Sequence, residues 1–293
     1  MRSALSAVLA TILALAATYS LAAPPADLPA AIYTDPAPDK DHPARMEVLH
    51  IPSHGLLLNG IAYIAAGAGE HPVVVLLHGL PGNEKNLDLA QAIRRAGWTV
   101  VTFNYRGSWG TPGNFRFAQN LEDADAALAF VRDPANAKRL GLDPRRIVII
   151  GHSMGGWVAI NTAAHDKDVI GLVSISAADM TRLAGAPEPI REHVMAGNME
   201  SLAGVTAQSM AADVATLGPQ LGFKAAADGL VGKPYLELTA DDGLAADTDA
   251  LAAAIRAKGG HQVTALHVAT DHTWDDHRIA LEAAVIGWLQ GLR

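Results

Sequence analysis

The sequence predicts an α/β fold: a mostly parallel central sheet of about eight strands, helices on both faces and a small helical cap. Three observations carry that prediction. Apolar runs of about five residues recur along the chain and alternate with helical segments, the order that builds a parallel sheet covered on both faces. The run Val73-Val74-Val75-Leu76-Leu77 is continuous rather than alternating, as expected of a strand buried on both sides. Over about residues 179–232 the alternation lapses into a stretch rich in Ala, Gly and Met. Its helical spacing, placed where it would overhang the strand ends, reads as a cap insertion.

The chain opens on a segment that reads as a secretory signal. Arg2 supplies a minimal positive start, residues 4–17 form an apolar core, and Ser20-Leu21-Ala22 offers small residues for cleavage after Ala22. A secreted or periplasmic location is therefore expected, with residues 1–22 removed and no stable membrane anchor left. The chain has no cysteine, so neither a lipid-anchored cysteine nor a disulfide framework is available. Residues 23–45 are expected to form a Pro-rich arm, with six prolines among residues 24–43.

Two strand-like runs, 46–51 and 57–65, flank Pro52-Ser53-His54-Gly55, which is good turn chemistry for an antiparallel entry into the sheet. After the run at 73–77 comes His78-Gly79-Leu80-Pro81-Gly82-Asn83, then a helix over about 87–96 that Gly97 stops. The next strand is 99–103, followed by the loop beginning Asn104-Tyr105-Arg106-Gly107. Asn120 suits the cap of a helix with apolar positions at Leu121, Ala124, Leu128 and Val131. Asp143-Pro144 leads into the run at 147–150. Strands at 169–176, 234–239 and 263–268 continue the pattern, with helices at about 247–258 and 276–290. The globular domain is thus expected over 46–293.

Composition excludes some functions. Half of the 293 residues are hydrophobic, 18% are charged and the net charge is −8, with no Lys/Arg run longer than two. A nucleic-acid partner is not expected, because phosphate binding needs a concentrated basic face. Gly79, Gly82 and Asn83 make no phosphate loop, since the Lys-Ser/Thr that completes one is missing.

The chemistry gathers at three strand ends. The run at 147–150 passes straight into Gly151-His152-Ser153-Met154-Gly155 and then a helical stretch. That is a serine at the apex of a strand–turn–helix G-x-S-x-G pattern. The turn forces Ser153 into a sparsely populated backbone conformation, and side chains at Gly151 or Gly155 would collide with neighbours. A serine hydroxyl needs a base within hydrogen-bond reach, and histidine suits that task near neutral pH. A carboxylate then orients the ring and stabilises the imidazolium. His272 and the Asp241-Asp242 pair lie just past later strands, in the chain order Ser, Asp, His known for such elbows. Asp242, before the turn at Gly243, is the favoured acid; Asp241 serves if the strand ends one residue earlier. Of twelve histidines, His277 is the nearest rival to His272, but it is expected inside the final helix. Two histidines five apart at 272 and 277 do not share a helical face, so no metal site is expected there.

From about His50 onward the chain resembles the α/β-hydrolases. Gly151-His152-Ser153-Met154-Gly155 is similar to that family's nucleophile elbow and His78-Gly79 to its oxyanion-loop signature. Asn104-Tyr105-Arg106-Gly107 resembles the segment after the fourth strand in the dienelactone-hydrolase and prolyl-oligopeptidase-like branches. The resemblance implies Ser153 as nucleophile, His272 as general base, and an oxyanion hole from the backbone N–H groups of Leu80 and Met154. His78 and His152 are then structural. It implies a serine hydrolase of carboxylic esters or short acyl substrates that needs no cofactor. Aminoacyl or acyl-peptide hydrolysis is the alternative; family peptidases of that kind carry a large N-terminal propeller domain, which is not expected here. A non-catalytic binding protein is the third reading, disfavoured by intact candidates for every catalytic role.

Overall fold

The computed structural model describes residues 28–292, so the expected signal segment lies outside the described residues. Eight strands form one sheet: β1 Arg45–Ser53, β2 Leu56–Ile64, β3 His71–Leu77, β4 Thr99–Phe103, β5 Leu142–His152, β6 Val169–Ile175, β7 Tyr235–Ala240 and β8 Val263–Val268. Their spatial order is β1-β2-β4-β3-β5-β6-β7-β8. Strand β2 runs antiparallel to β1 and β4, and all other pairs are parallel. The first two strands thus form a hairpin, as their turn chemistry predicts.

Helices cover both faces because the strands at the centre, β3 and β5, carry apolar residues on both sides. On one face, Leu89 and Ile93 of α1 (Leu87–Arg95) and Leu281, Val285 and Ile286 of α10 (Arg278–Gly291) pack on Val74, Leu76, Val148, Ile150 and Val173. On the other lie α2 (Phe117–Arg132), α4 (Met154–His165), α8 (Phe223–Leu230) and α9 (Ala245–Ala257), which share a core with Val73, Val75, Ile147, Ile149 and Leu172. Burying one such aliphatic side chain contributes about 1.5–3 kcal/mol, so this sandwich is the main source of stability in a chain without disulfides.

Several expectations are corrected. Asn120 does not cap a helix: α2 begins at Phe117, and the Phe117 N–H is capped by the carboxylate of Asp213, 2.8 Å away. The cap partner comes from across the fold, so no local signal marks that start. Asn120 is buried instead, its amide pointing at the Met154 sulfur. A helix that the apolar pattern missed, α3 (Pro134–Leu140), has Asp133 accepting from the Ala135 and Asn136 amides and Gly141 closing it at φ 67°. The final helix starts at Arg278, which leaves His277 in the preceding turn rather than inside the helix.

Between β6 and β7 stand α5 (Met180–Ala184), α6 (Glu188–Ala196), α7 (Ala207–Val214) and α8. The expected insertion over 179–232 is narrower in the structure, because α8 belongs to the sandwich. It packs on α4 and α9, and a Cβ at Gly229 would overlap the Ala164 carbonyl. The overhanging part therefore comprises α5 to α7. Among the described residues no helix is long and apolar enough to cross a membrane.

Candidate active site

Ser153 sits between β5 and α4 with φ 56° and ψ −124°, a conformation that costs on the order of 1–3 kcal/mol in a non-glycine residue. The surrounding backbone enforces it. The Ser153 N–H donates to the Ile175 carbonyl at 3.0 Å, while the Ser153 carbonyl accepts from Gly156 at 2.9 Å and Ala178 at 3.0 Å. A Cβ at Gly151 would overlap the Gly155 carbonyl, and one at Gly155 would overlap the carbonyls of Leu77 and His78. Only glycine lets the turn close against both neighbours.

His272 follows β8, and its Nδ1 lies 2.8 Å from Asp242 Oδ2. The acid is nearly enclosed, with 4% of its side chain exposed, whereas 38% of the imidazole is open. Burial works against the charge on Asp242, but hydrogen bonds from His272 and the Leu244 N–H, with the Ser176 hydroxyl beside them, hold its pKa below the usual carboxylate value. Asp242 therefore stays ionised, and Nδ1 must carry the proton to reach it. Nε2 is left as the acceptor. Asp241 turns away: its carboxylate pairs with His267 at 3.0 Å, and His267 Nδ1 meets the Thr239 hydroxyl. The register Thr239↔His267 places that ring beside Asp241. Of the two adjacent carboxylates, Asp242 is the one that contacts His272.

Ser153, His272, Leu80 and Met154 line one cavity of about 510 Å³. Met180, Leu183 and Val194 from α5 and α6, with Leu244, make its apolar wall. Among the described residues Ser153 Oγ makes no side-chain hydrogen bond, and it shares the cavity with His272 without hydrogen-bonding to it. Such contacts commonly tighten only when substrate is bound.

A profile of the alpha/beta hydrolase family matches residues 74–289. The chain belongs to the alpha/beta hydrolase family. An uncharacterized protein of Mycobacterium tuberculosis is 30% identical over 122 residues, which is 41% of this chain and 42% of that protein. The quorum-quenching protein AidA of Acinetobacter baumannii is 33% identical over 109 residues, 35% of this chain and 34% of its own. The match thus spans less than half the length of these curated relatives. Among solved structures, the carboxylesterase EstE1, cloned from a metagenomic library, is 24% identical with a TM-score of 0.62, covering 86% of this chain and 91% of its own. An esterase of Pyrobaculum calidifontis is 21% identical with a TM-score of 0.61, covering 86% and 88%. At these identities the structural likeness is one of fold.

Within this alpha/beta hydrolase two further histidines shape the site. His78 Nδ1 contacts the Gly79 carbonyl at 2.8 Å. Because C=O and N–H point opposite ways across a trans peptide, pinning the Gly79 carbonyl directs the Leu80 N–H the other way. Burial holds the His78 pKa down to about 4, so the ring is neutral and Nδ1 carries the hydrogen. His152 is also buried, and burial followed by the proximity of His272 lowers its pKa to about 4. Its Nε2 reaches the His272 carbonyl at 2.8 Å, fixing the loop that bears the imidazole. Met154 opens α4, where the first amides have no carbonyl partner within the helix and the dipole favours negative charge. The Asp271–His277 turn is held by its own contacts, with Asp271 accepting from the Thr273 and Asp275 amides and His277 beside Asp276. Among the described residues no group of three or more His, Cys, Asp or Glu side chains could hold a metal.

Proposed function

We propose that this chain is a serine hydrolase that cleaves carboxylic esters through an acyl-enzyme on Ser153. The observation that carries the reading is the Asp242–His272 contact at 2.8 Å, opening on the same cavity as the strained Ser153. His272 Nε2 takes the Ser153 proton as Oγ attacks the acyl carbon. Asp242 holds the ring's tautomer and stabilises the imidazolium. The amides of Leu80 and Met154 receive the oxyanion, a term for which losing one donor typically costs about 100- to 1,000-fold in rate. His272 returns the proton to the departing alcohol, then activates water to release the acid. No step calls for a metal or organic cofactor. The apolar wall suits an acyl or alcohol group that is itself apolar, and the names of the esterases that share the fold agree with this chemistry.

The test is hydrolysis of p-nitrophenyl acyl esters and aminoacyl anilides by wild type and Ser153→Ala. Ester turnover that Ser153→Ala abolishes supports the proposal. Faster turnover of the anilides would assign the same machinery to peptide bonds. We also propose export: the apolar segment at 4–17 and Ala22 predict a mature protein whose first residue is Ala23, which N-terminal sequencing reads directly.

A further inference from the structure

The oxyanion loop at 79–82 is held by a residue remote from the chemistry. We propose that Trp109 is a positioning residue of that loop, locking the Leu80 amide in place through its indole N–H. The inference rests on the reading of Leu80 as an oxyanion donor. The indole Nε1–H donates to the Pro81 carbonyl at 2.7 Å, one residue beyond Leu80. His78 fixes the Gly79–Leu80 peptide, which carries the donor, and Trp109 fixes the Pro81–Gly82 peptide one residue further on, so the loop is clamped before and after Leu80.

Trp109 is itself clamped at four points. Its N–H donates to the Ser201 carbonyl at 2.8 Å and its carbonyl accepts from Asn104 Nδ2 at 3.3 Å. The Lys85 ammonium lies 4.1 Å from the indole centroid and donates to Asn104 Oδ1 at 2.9 Å. Lys85 forms no ion pair among the described residues, and burial lowers its pKa. Its charge is satisfied by Asn104 and the ring face, an arrangement that orients the indole. The fourth point is the Pro81 contact. Trp109 also has φ 48°, which is rare for a bulky residue and persists only where the surroundings over-determine it.

The root of this loop is equally fixed. Arg106 donates from its backbone N–H and from Nε to the buried carboxylate of Asp123, at 2.9 and 2.6 Å. Further along, the loop pairs with the overhanging segment through Ser108↔Leu202, Ala203 N–H to Gly107 O and Phe115 N–H to Ala203 O. Trp109 is therefore the point where a rigid loop, the overhang and the oxyanion loop meet. A residue whose only duty was to fill space would need neither the indole donor nor the cation over its face.

Trp109→Phe keeps a ring and removes the donor. Its kcat on a p-nitrophenyl ester is expected to fall about 10- to 100-fold, short of the loss of an oxyanion donor outright. KM should stay within about threefold, since the interaction is realised in the transition state. Affinity for a trifluoromethyl ketone, whose adduct presents an oxyanion, should fall in parallel with kcat/KM, while affinity for the product acid stays level. Lys85→Met, which releases the ring without altering it, should show the same split at about 2- to 10-fold. A folded Trp109→Phe with wild-type kcat, or one that loses trifluoromethyl ketone and product affinity equally, overturns the proposal. If Trp109→Phe does not fold, Lys85→Met decides, and an unchanged kcat overturns it. Persistent turnover by Ser153→Ala would instead remove the underlying reading.

Discussion

Glu237 offers a prediction whose size follows from its surroundings. It lies in the middle of β7 with no exposed surface, and neither carboxylate oxygen has a hydrogen-bond partner. The Thr248 hydroxyl donates elsewhere, to the Ala245 carbonyl at 3.1 Å. Burial is the main cause that raises its pKa from 4.5 to about 7; the Thr248 hydroxyl and Arg256 oppose the rise and Asp249 adds to it. An acid with a raised pKa binds more protons folded than unfolded, so stability falls as pH rises from 4.5 through about 7. At about 1.4 kcal/mol per pH unit, the loss is on the order of 3 kcal/mol. Glu237→Gln cannot ionise and should lack this loss. Urea unfolding of both proteins at pH 5 and pH 8 measures it as the change in their stability difference, in which all other titrations cancel. The variant should gain on wild type by about 2–4 kcal/mol between the two pH values. A difference that does not change with pH would refute the account of Glu237 as a buried, unpartnered acid.

Other expectations concern the site. Asp242→Asn should lower kcat by about 10⁴-fold through the wrong imidazole tautomer, whereas Asp241→Asn, on His267, should leave ester kinetics within about threefold of wild type; steady-state assays of the pair settle which acid serves His272. Gly155→Ala drives a methyl into the Leu77 and His78 carbonyls, and should cost about 1–3 kcal/mol or more in unfolding experiments and abolish turnover by displacing Ser153. Arg182 and Asp247 line the cavity and pair at 2.8 Å. With 63% of the arginine side chain exposed, removing the pair should change stability by about 1 kcal/mol or less. A panel of acyl chain lengths should nonetheless show longer chains accepted by Arg182→Ala.

The central strands were legible because burial on both faces demands continuous apolar runs: β4 at Thr99–Phe103 matches the sequence reading residue for residue, as does the exposed edge strand β8 at Val263–Val268, whose signal is its place in the strand–helix alternation. The elbow was legible for the same reason, since steric closure at Gly151 and Gly155 leaves little else that fits. What escaped depended on distant partners. The start of α2 is set by Asp213 and the side taken by Asp241 by His267, neither of which is local. Trp109 escaped too, because a tryptophan in a Gly-rich loop carries no sign of the Pro81 carbonyl it holds. Helix α3 was different: Asp133-Pro134 and Gly141 are local start and stop signals, obscured by its short apolar pattern.

The central claim is that Ser153 is a nucleophile activated by His272. A fluorophosphonate probe reacts with such a serine and leaves a covalent phosphonyl adduct, which peptide mass mapping places on one residue. The account predicts an adduct on Ser153 that disappears in Ser153→Ala and forms far more slowly in His272→Ala. A folded protein that is not labelled at Ser153, or is labelled equally well without His272, would contradict it.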